Sequence, residues 1–248
     1  MNARIQLRTP RVAEVVAIDE AGQRAMYALY ERYYEGTSFA VFRRDLLAKD
    51  HVVLLHGEDG ELQGFSTLAV YAREFEGRRL RVIFSGDTIV DQRCWGSQTF
   101  AFTWLRWAGA VKAQAPATPL YWLLISKGQR TYRYLPAFSR SYWPAPGRAT
   151  PAPAQALMDF LARERFGASY DAAAGVLRFD GLEGRLRPRY AAVPDKDLRL
   201  PQVRYFLQRN PGYTRGEELV CLCELSAANL RPIARRVFES GAAGGNHP

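Results

Sequence analysis

The feature that most constrains the fold is a predicted strand that passes through a short turn into a long amphipathic helix. Residues 80–90 are rich in β-branched and aromatic side chains, which predicts a strand. Over residues 97–115 aromatic side chains recur at helical spacing, which predicts a helix. A strand that feeds a helix directs unpaired backbone N–H groups and the positive end of the helix dipole to one point. The turn at residues 91–96 is therefore a predicted phosphate-binding site.

The neighbouring segments predict a definite order of elements around this unit. An Asp-Gly pair, Asp59 and Gly60, indicates a hairpin turn between two strands. In chain order the patterns predict two helices, the two hairpin strands, a buried strand after the long helix and a last helix, over residues 24–34, 39–48, 51–56, 62–71, 119–126 and 129–138. The sheet is thus predicted to be mixed and mainly antiparallel, with helices on its faces.

The turn and this order of elements resemble the GCN5-related N-acetyltransferase (GNAT) superfamily. In that family a Q/R-x-x-G-x-G/A loop holds the pyrophosphate of acyl-coenzyme A. Arg93 and Gly96 match the loop, whereas Gln98 stands in place of its last small residue. The resemblance covers roughly residues 5–145 and includes Gly64, where the family often has glycine. It implies an α/β (α+β) fold of the acyl-CoA N-acyltransferase type, as a divergent member.

The resemblance also implies which residues bind the acyl donor. Backbone N–H groups near Ile89 and Val90 would meet the pantetheine arm. The turn would hold the phosphates through Arg93, Cys94, Trp95, Gly96, Ser97 and Gln98. The donor is acyl-CoA or an acyl carrier protein (ACP) with the same pantetheine, and the net charge of +9 would attract either one.

Candidate catalytic residues lie in and after the central strands. Asp87 is an acidic residue inside an apolar strand, where burial would raise its pKa and suit it to accept a proton. The alternative, that Asp87 braces a neighbouring loop through hydrogen bonds, stays open. Gly86 beside it predicts a bulge that splays the strands. In many relatives a tyrosine after the fifth strand is the general acid toward the leaving thiolate, which makes Tyr132 and Tyr134 the two candidates.

Composition bounds the class of protein. The 248 residues are 48% hydrophobic and 12% aromatic, enough for a substantial core. No apolar run reaches the roughly 20 residues that span a bilayer, and the N-terminal segment lacks the apolar stretch of a secretory signal. Three cysteines without a Cys-x-x-Cys pair or neighbouring histidines predict a reducing compartment and no metal site. We therefore expect a cytoplasmic protein with no membrane partner.

A proline-rich segment at residues 143–153 marks a seam, because proline neither continues a helix nor donates to a sheet. We predict a GNAT-like domain over 1–145, an α/β extension packed on it over 146–240, and a disordered tail over 241–248. The last strand of the extension is predicted at 217–225, and its last helix is predicted from Ser226 to about Glu239. The extension either covers the acceptor side or completes the sheet and supports a homodimer.

The sequence thus predicts an N-acyltransferase-like protein that transfers an acyl group from acyl-CoA or acyl-ACP to a small-molecule amine. One alternative is a catalytically silent GNAT-like protein that binds acyl-CoA or acts as a scaffold, which Gln98 favours. The other is a nucleic-acid binder, which the charge of +9 favours. The basic residues are scattered along the chain, however, and this argues against nucleic acid.

Overall fold

The computed structural model describes residues 6–179, 181 and 183–243. The strands are β1 (Arg11–Glu14), β2 (Tyr34–Glu35), β3 (His51–His56), β4 (Leu62–Phe75), β5 (Arg78–Val90), β6 (Leu120–Ser126), β7 (Tyr170–Asp171), β8 (Val176–Leu177), β9 (Arg185–Leu186) and β10 (Glu218–Glu224). The helices are α1 (Glu20–Tyr33), α2 (Phe39–Leu47), α3 (Thr99–Ala113), α4 (Gln129–Tyr132), α5 (Tyr134–Phe138), α6 (Ala152–Phe166), α7 (Pro188–Ala191), α8 (Asp195–Leu198), α9 (Pro201–Arg209) and α10 (Pro232–Ala243).

Eight strands form one sheet in the order β1-β3-β4-β5-β6-β10-β8-β7, and β2 pairs with β9 apart from it. Within the sheet β5 and β6 run parallel, and α3 connects them. The other neighbouring pairs are antiparallel. The predicted fold class, a mixed and mainly antiparallel sheet flanked by helices, is confirmed.

Helices cover both faces of the sheet. Alternate residues of a strand point to opposite faces, and Val53 of β3 packs in the core under α3 and α10 whereas Val52 packs under α1 and α2. Helix α6 covers the same face as α1 and α2, over Val82 and Phe84 of β5. Each fully buried aliphatic or aromatic side chain of these cores stabilises the fold by about 1.5–3 kcal/mol.

Two predicted helices have different bounds for reasons that involve proline. The helix predicted over 129–138 is two short helices, α4 and α5, that meet at Arg133. Pro136 has no N–H to donate to the carbonyl of Tyr132, so one continuous helix is excluded. The last helix begins at Pro232 rather than at Ser226, because proline suits the first helical position.

The predicted disordered tail begins too early. Residues 241–243 complete α10, and Gly241 lies against α3 so closely that a β-carbon there would be 1.7 Å from the carbonyl oxygen of Arg106. Gly109 of α3 is its counterpart, with 1.8 Å to the carbonyl oxygen of Phe238. The two glycines therefore let the helix backbones touch. The rest of the predicted tail, 244–248, lies outside the described residues.

The region after the proline-rich seam contributes to the same sheet. Strand β10, close to its predicted bounds of 217–225, pairs with β6 from Leu219 opposite Ser126 to Glu224 opposite Tyr121. Strands β7 and β8 then continue the sheet beyond β10. Whether the chain divides into domains at residue 145 stays a prediction.

Candidate functional site

The sheet opens between its two parallel strands. Pairing of β5 with β6 runs from Arg81 opposite Leu120 to Ser85 opposite Leu124 and ends there. Beyond this point a bulge in β5 bends the strand away, because two residues, Gly86 and Asp87, lie opposite a single residue of β4. The bulge predicted at Gly86 is confirmed.

Gly86 has to be glycine for a steric reason. A β-carbon on it would lie 2.8 Å from the Thr67 hydroxyl and 2.9 Å from Cε of Lys49. The backbone of the bulge therefore packs directly against Lys49. As a result Asp87 lies on the sheet face of α1, α2 and α6, while Thr88 lines the opening on the face of α3.

A groove of about 570 Å³ lies at this opening, on the face of α3. It is bounded by the end of β5, the turn, the start of α3, helices α4 and α5, and α7. Most of the residues predicted to bind the donor line it, as does one of the two tyrosines: Ile89, Val90, Cys94, Trp95, Gly96, Ser97, Gln98 and Tyr134.

The start of α3 presents unused backbone donors to the groove. Within the described part of the chain, no acceptor receives the N–H of Gly96, Gln98, Phe100 or Ala101, and all four residues line the groove. Gln98 caps the helix without a side-chain hydrogen bond. Gly96 adopts a φ of 94°, a left-handed conformation that favours glycine. Unsatisfied N–H groups at the start of a 15-residue helix form an anion-binding site.

Arg93 does not belong to this site, in contrast to its predicted role. Its Nε lies 2.9 Å from Oδ1 of Asp91, and its guanidinium also donates to Oε1 of Gln63 at 3.2 Å. The arginine is thus held by its own turn and does not line the groove. Asp91, two residues earlier in the sequence, was the local signal for this pairing.

Two arginines that the sequence did not single out supply positive charge instead. Arg130 and Arg133, from α4 and the junction with α5, line the groove. The guanidinium carbon of Arg130 lies 4.0 Å from the ring centroid of Trp95, which indicates a cation–π contact across the groove mouth. Arg133 is 3.9 Å from the Asp197 carboxylate.

The two candidate tyrosines have different environments. Tyr132 is fully buried, and its hydroxyl donates to the Pro144 carbonyl at 2.8 Å, so the structure does not bring it to the groove. Tyr134 lines the groove, and burial raises the pKa of its hydroxyl. A phenol with a raised pKa stays protonated at neutral pH and can donate a proton.

Asp87 faces a second cavity, of about 510 Å³, on the opposite face of the sheet. Burial, reinforced by Asp45, raises the pKa of Asp87 to about 6, although Lys127 and Lys49 oppose the shift. No hydrogen bond or ion pair to Asp87 occurs within the described residues, which leaves the loop-bracing alternative without a contact. Asp87 therefore presents a carboxylate of near-neutral pKa to an open space.

The sequence did not indicate that buried lysines would line this cavity. Lys127 lies 3.3 Å from the Glu218 carboxylate and donates to the Glu183 carbonyl at 2.7 Å. Burial lowers the pKa of Lys127, but the nearby carboxylates of Glu218 and Asp87 outweigh it and raise the pKa above its ordinary value. Lys127 is thus a permanent cation beside the opening.

The groove and the cavity adjoin at the opening of the sheet. Asp87 lines the cavity, and its neighbour Thr88 lines the groove. Directly after β6, Lys127 lines the cavity and Gly128 lines the groove. The stacked rings of Tyr30 and Tyr34, 4.5 Å between centroids, stand between the two spaces. The two spaces are therefore neighbours at the opening, with these rings as the partition between them.

In residues 6–179, 181 and 183–243, no group of three histidine, cysteine or acidic side chains is arranged to hold a metal ion. The helices in that part of the chain are too short or too polar to cross a bilayer.

Comparisons with known proteins give similarity at the level of structure. No family model and no curated protein matches the sequence. A probable N-acyltransferase of unknown function from Enterococcus faecalis is similar over 54% of this chain and 33% of its own, a third of its length, with 16% identity and a TM-score of 0.39. The GNAT family N-acetyltransferase YhbS from Escherichia coli, in complex with CoA, is similar over 56% and 71%, with 14% identity and a TM-score of 0.37. An acetyltransferase from Trypanosoma brucei is similar over 59% and 98%, with 16% identity and a TM-score of 0.36.

Since these TM-scores are all below 0.5, the class of the protein rests on its own geometry. The strand order, the single parallel pair, the bulge and the open start of α3 together give the arrangement of an acyl-CoA N-acyltransferase-like fold. This fold agrees with the one that the sequence resemblance implies.

Proposed function

We propose that the protein transfers an acyl group from acyl-CoA to an amine. The observation that carries this proposal is the set of unused backbone N–H groups at the start of α3, which face a groove at the opening of the sheet. Such groups bind phosphate oxygens, and the cations of Arg130 and Arg133 on the same groove would neutralise further phosphate charge.

The pantetheine arm would extend along β5. Beyond Ser85 the edge of β5 that faces β6 is released from pairing, and Ile89 and Val90 line the groove there. A free strand edge pairs with the amides of an extended ligand as an additional strand does. The thioester would then lie at the gap beside Thr88. An ACP that carries the same arm as the donor stays a prediction.

The chain's own residues would move the protons of the reaction. Asp87 would take a proton from the acceptor ammonium, so that the neutral nitrogen can attack the acyl carbon. The new C–N bond would form as the C–S bond breaks, and Tyr134 would donate a proton to the departing sulfur. The nitrogen would then lose its second proton to water, and water would return a proton to Tyr134. These roles are supported by the unpaired carboxylate of Asp87 and by the position of Tyr134 in the groove.

Calorimetric titration with CoA tests the donor site. We expect Ser97→Glu to weaken CoA binding at least about tenfold, because a carboxylate at the start of α3 repels phosphate. The same charge favours the helix dipole, so the variant should fold as well as the original protein. Ser240→Glu, near the end of α10, adds the same charge elsewhere and serves as the control. Equal CoA affinity in all three proteins would contradict the proposal.

One observation favours the silent alternative, a GNAT-like protein that binds acyl-CoA or acts as a scaffold. Gln98 lines the groove where the family has a small residue, and its side chain would crowd the ligand. Thiol release from acetyl-CoA, measured with a panel of amines, separates the cases. Binding of acetyl-CoA without thiol release for any amine would identify the silent protein.

A further inference from the structure

The cavity beside Asp87 is balanced in charge. Ten charged side chains line it, five acidic and five basic. Six of them form ion pairs with one another: Lys49 with Asp45, Arg73 with Glu164, and Lys127 with Glu218. The four that stay unpaired in the described residues are two acids, Asp87 and Glu183, and two bases, Arg44 and Arg165. An unpaired charge in a cavity is costly unless a ligand completes it.

Both unpaired acids line the cavity wall. Asp87 has no hydrogen-bond partner in the described residues, and Oε2 of Glu183 is buried without one. Lys127 approaches Glu183 only at the backbone carbonyl. Two carboxylates with unused acceptor capacity suit an ammonium group, which brings three N–H donors.

Of the two unpaired bases, Arg44 is exposed to solvent. Arg165 lies beside Phe84, at the other end of the same stretch of β5. The guanidinium carbon of Arg165 lies 3.9 Å from the ring centroid of Phe84, and Nζ of Lys49 lies 5.4 Å from the same ring. Arg165 is partly buried and has no carboxylate partner in the described part of the chain. The hydroxyl of Tyr71, also on the cavity wall, is buried, and the Tyr71 ring centroid lies 5.7 Å from the guanidinium carbon of Arg165. A guanidinium held in this way binds a carboxylate through two parallel hydrogen bonds.

We propose that the acceptor is a small zwitterion, an amino acid in the chemical sense, with its ammonium group against Asp87 and Glu183 and its carboxylate on Arg165. This inference rests on the proposed function, since it assigns the amine that receives the acyl group. Phe84 and Asp87 are three residues apart on one strand, about 10 Å at most along the backbone, so one small molecule can reach both ends. The volume of about 510 Å³ likewise fits a small molecule.

The test compares amino acids with the same molecules lacking the carboxylate, by saturation-transfer NMR and calorimetry on the full chain without any donor. The pairs are L-lysine and cadaverine, L-phenylalanine and phenethylamine, and 4-aminobutyrate and propylamine, which also vary the distance between amine and carboxylate. We expect at least one amino acid to bind about tenfold or more tightly than its partner amine, the effect of a hydrogen-bonded charge.

In the variant Arg165→Gln, the affinities for each amino acid and its partner amine should differ by no more than about twofold. The glutamine amide is similar in size to the guanidinium but carries no charge. Arg163→Gln, on an exposed position of the same helix, is the matched control and should keep the preference. Since the comparison of ligand pairs uses the unaltered protein, it stays decisive even where Arg165→Gln fails to fold.

The inference is overturned if the partner amines bind as well as the amino acids, if no member of any pair binds, or if folded Arg165→Gln keeps the full preference. A parallel titration with CoA separates the two proposals. CoA binding without zwitterion binding removes only the acceptor assignment. Zwitterion binding without CoA binding removes the acyl-donor assignment and keeps the cavity as an amino-acid site.

Discussion

At the scale of single residues, the proposed reaction depends on a carboxylate whose pKa is close to neutral. Asp87 is half-buried at a bulge near Asp45, Lys49 and Lys127, and its pKa is raised to about 6. Below that pH the group is a neutral acid that cannot accept a proton, and above it the group is a carboxylate that can. The bulge, which places the side chain in the cavity, is therefore as important as the residue type.

We expect the rate of acyl transfer to rise with pH through about 6 and then to level off as Asp87 becomes ionised. Asp87→Asn should lower kcat by a factor of about 10² to 10⁴ and remove this limb of the profile. The measurement is kcat between pH 5 and 8 by thiol release, with CoA affinity as the control, which should not change. A variant that kept the limb at pH 6 would show that another group accepts the proton.

The two tyrosines make a matched pair for a second prediction. Tyr134→Phe should lower kcat by about a hundredfold with unchanged stability, because it removes a proton donor that lines the groove. Tyr132→Phe should lose about 1 kcal/mol of unfolding free energy and keep its kcat, because its hydroxyl bonds the Pro144 carbonyl in the core. Steady-state kinetics and urea unfolding check both. The reverse pattern would exchange the two roles.

At the scale of elements, the sequence predicted what local pattern determines. The strand predicted over 80–90 spans Arg78–Val90, and the helix predicted over 97–115 spans Thr99–Ala113. The contacts of individual side chains were harder to predict from the sequence. Arg93 pairs with Asp91 of its own turn, and Arg130 lines the groove only because of where α4 packs. The hydrophobic period and the turn residues determine structure over a few neighbouring positions. The charged side chains that face a cavity are instead brought together by contacts between residues that are distant in sequence.

Helix α3 also carries the contact with α10, and this leads to a third prediction. Gly109→Ala should lower the free energy of unfolding by about 1–3 kcal/mol, because its β-carbon would overlap the carbonyl oxygen of Phe238 at 1.8 Å. Helix propensity alone would favour alanine by about 1 kcal/mol, so the sign of the change reports the clash. Ala113→Gly, exposed on the same helix, should show only the propensity effect. Stabilisation by Gly109→Ala in urea unfolding would show that the helices are separated.

At the scale of the whole molecule, both parts of the chain build the cavity proposed for the acceptor. Asp87 and Lys49 come from before the proline-rich seam, and Arg165, Glu183 and Glu218 come from after it. The proline-rich seam can be predicted from the sequence, because a proline affects the backbone only near its own position. The pairing of β10 with β6 cannot be predicted in this way, because the sequence of a strand does not identify a partner strand so far away along the chain. We infer that the region from 146 onward is part of one folding unit with the region before it.

This inference leads to the last prediction, which concerns a chain shortened to residues 1–145. The shortened chain would lack β10, so the edge of β6 that pairs with β10 would be exposed. Leu123 and Leu124 are among the buried residues at that edge. An unpaired apolar edge strand is a template for aggregation, so we expect the fragment to be aggregated or unfolded, whereas the full chain unfolds cooperatively. Circular dichroism and size-exclusion chromatography of both proteins make the comparison. A fragment that is monomeric and melts in one cooperative transition would establish residues 1–145 as a domain of their own, and the cavity would then lie between two independently folded units.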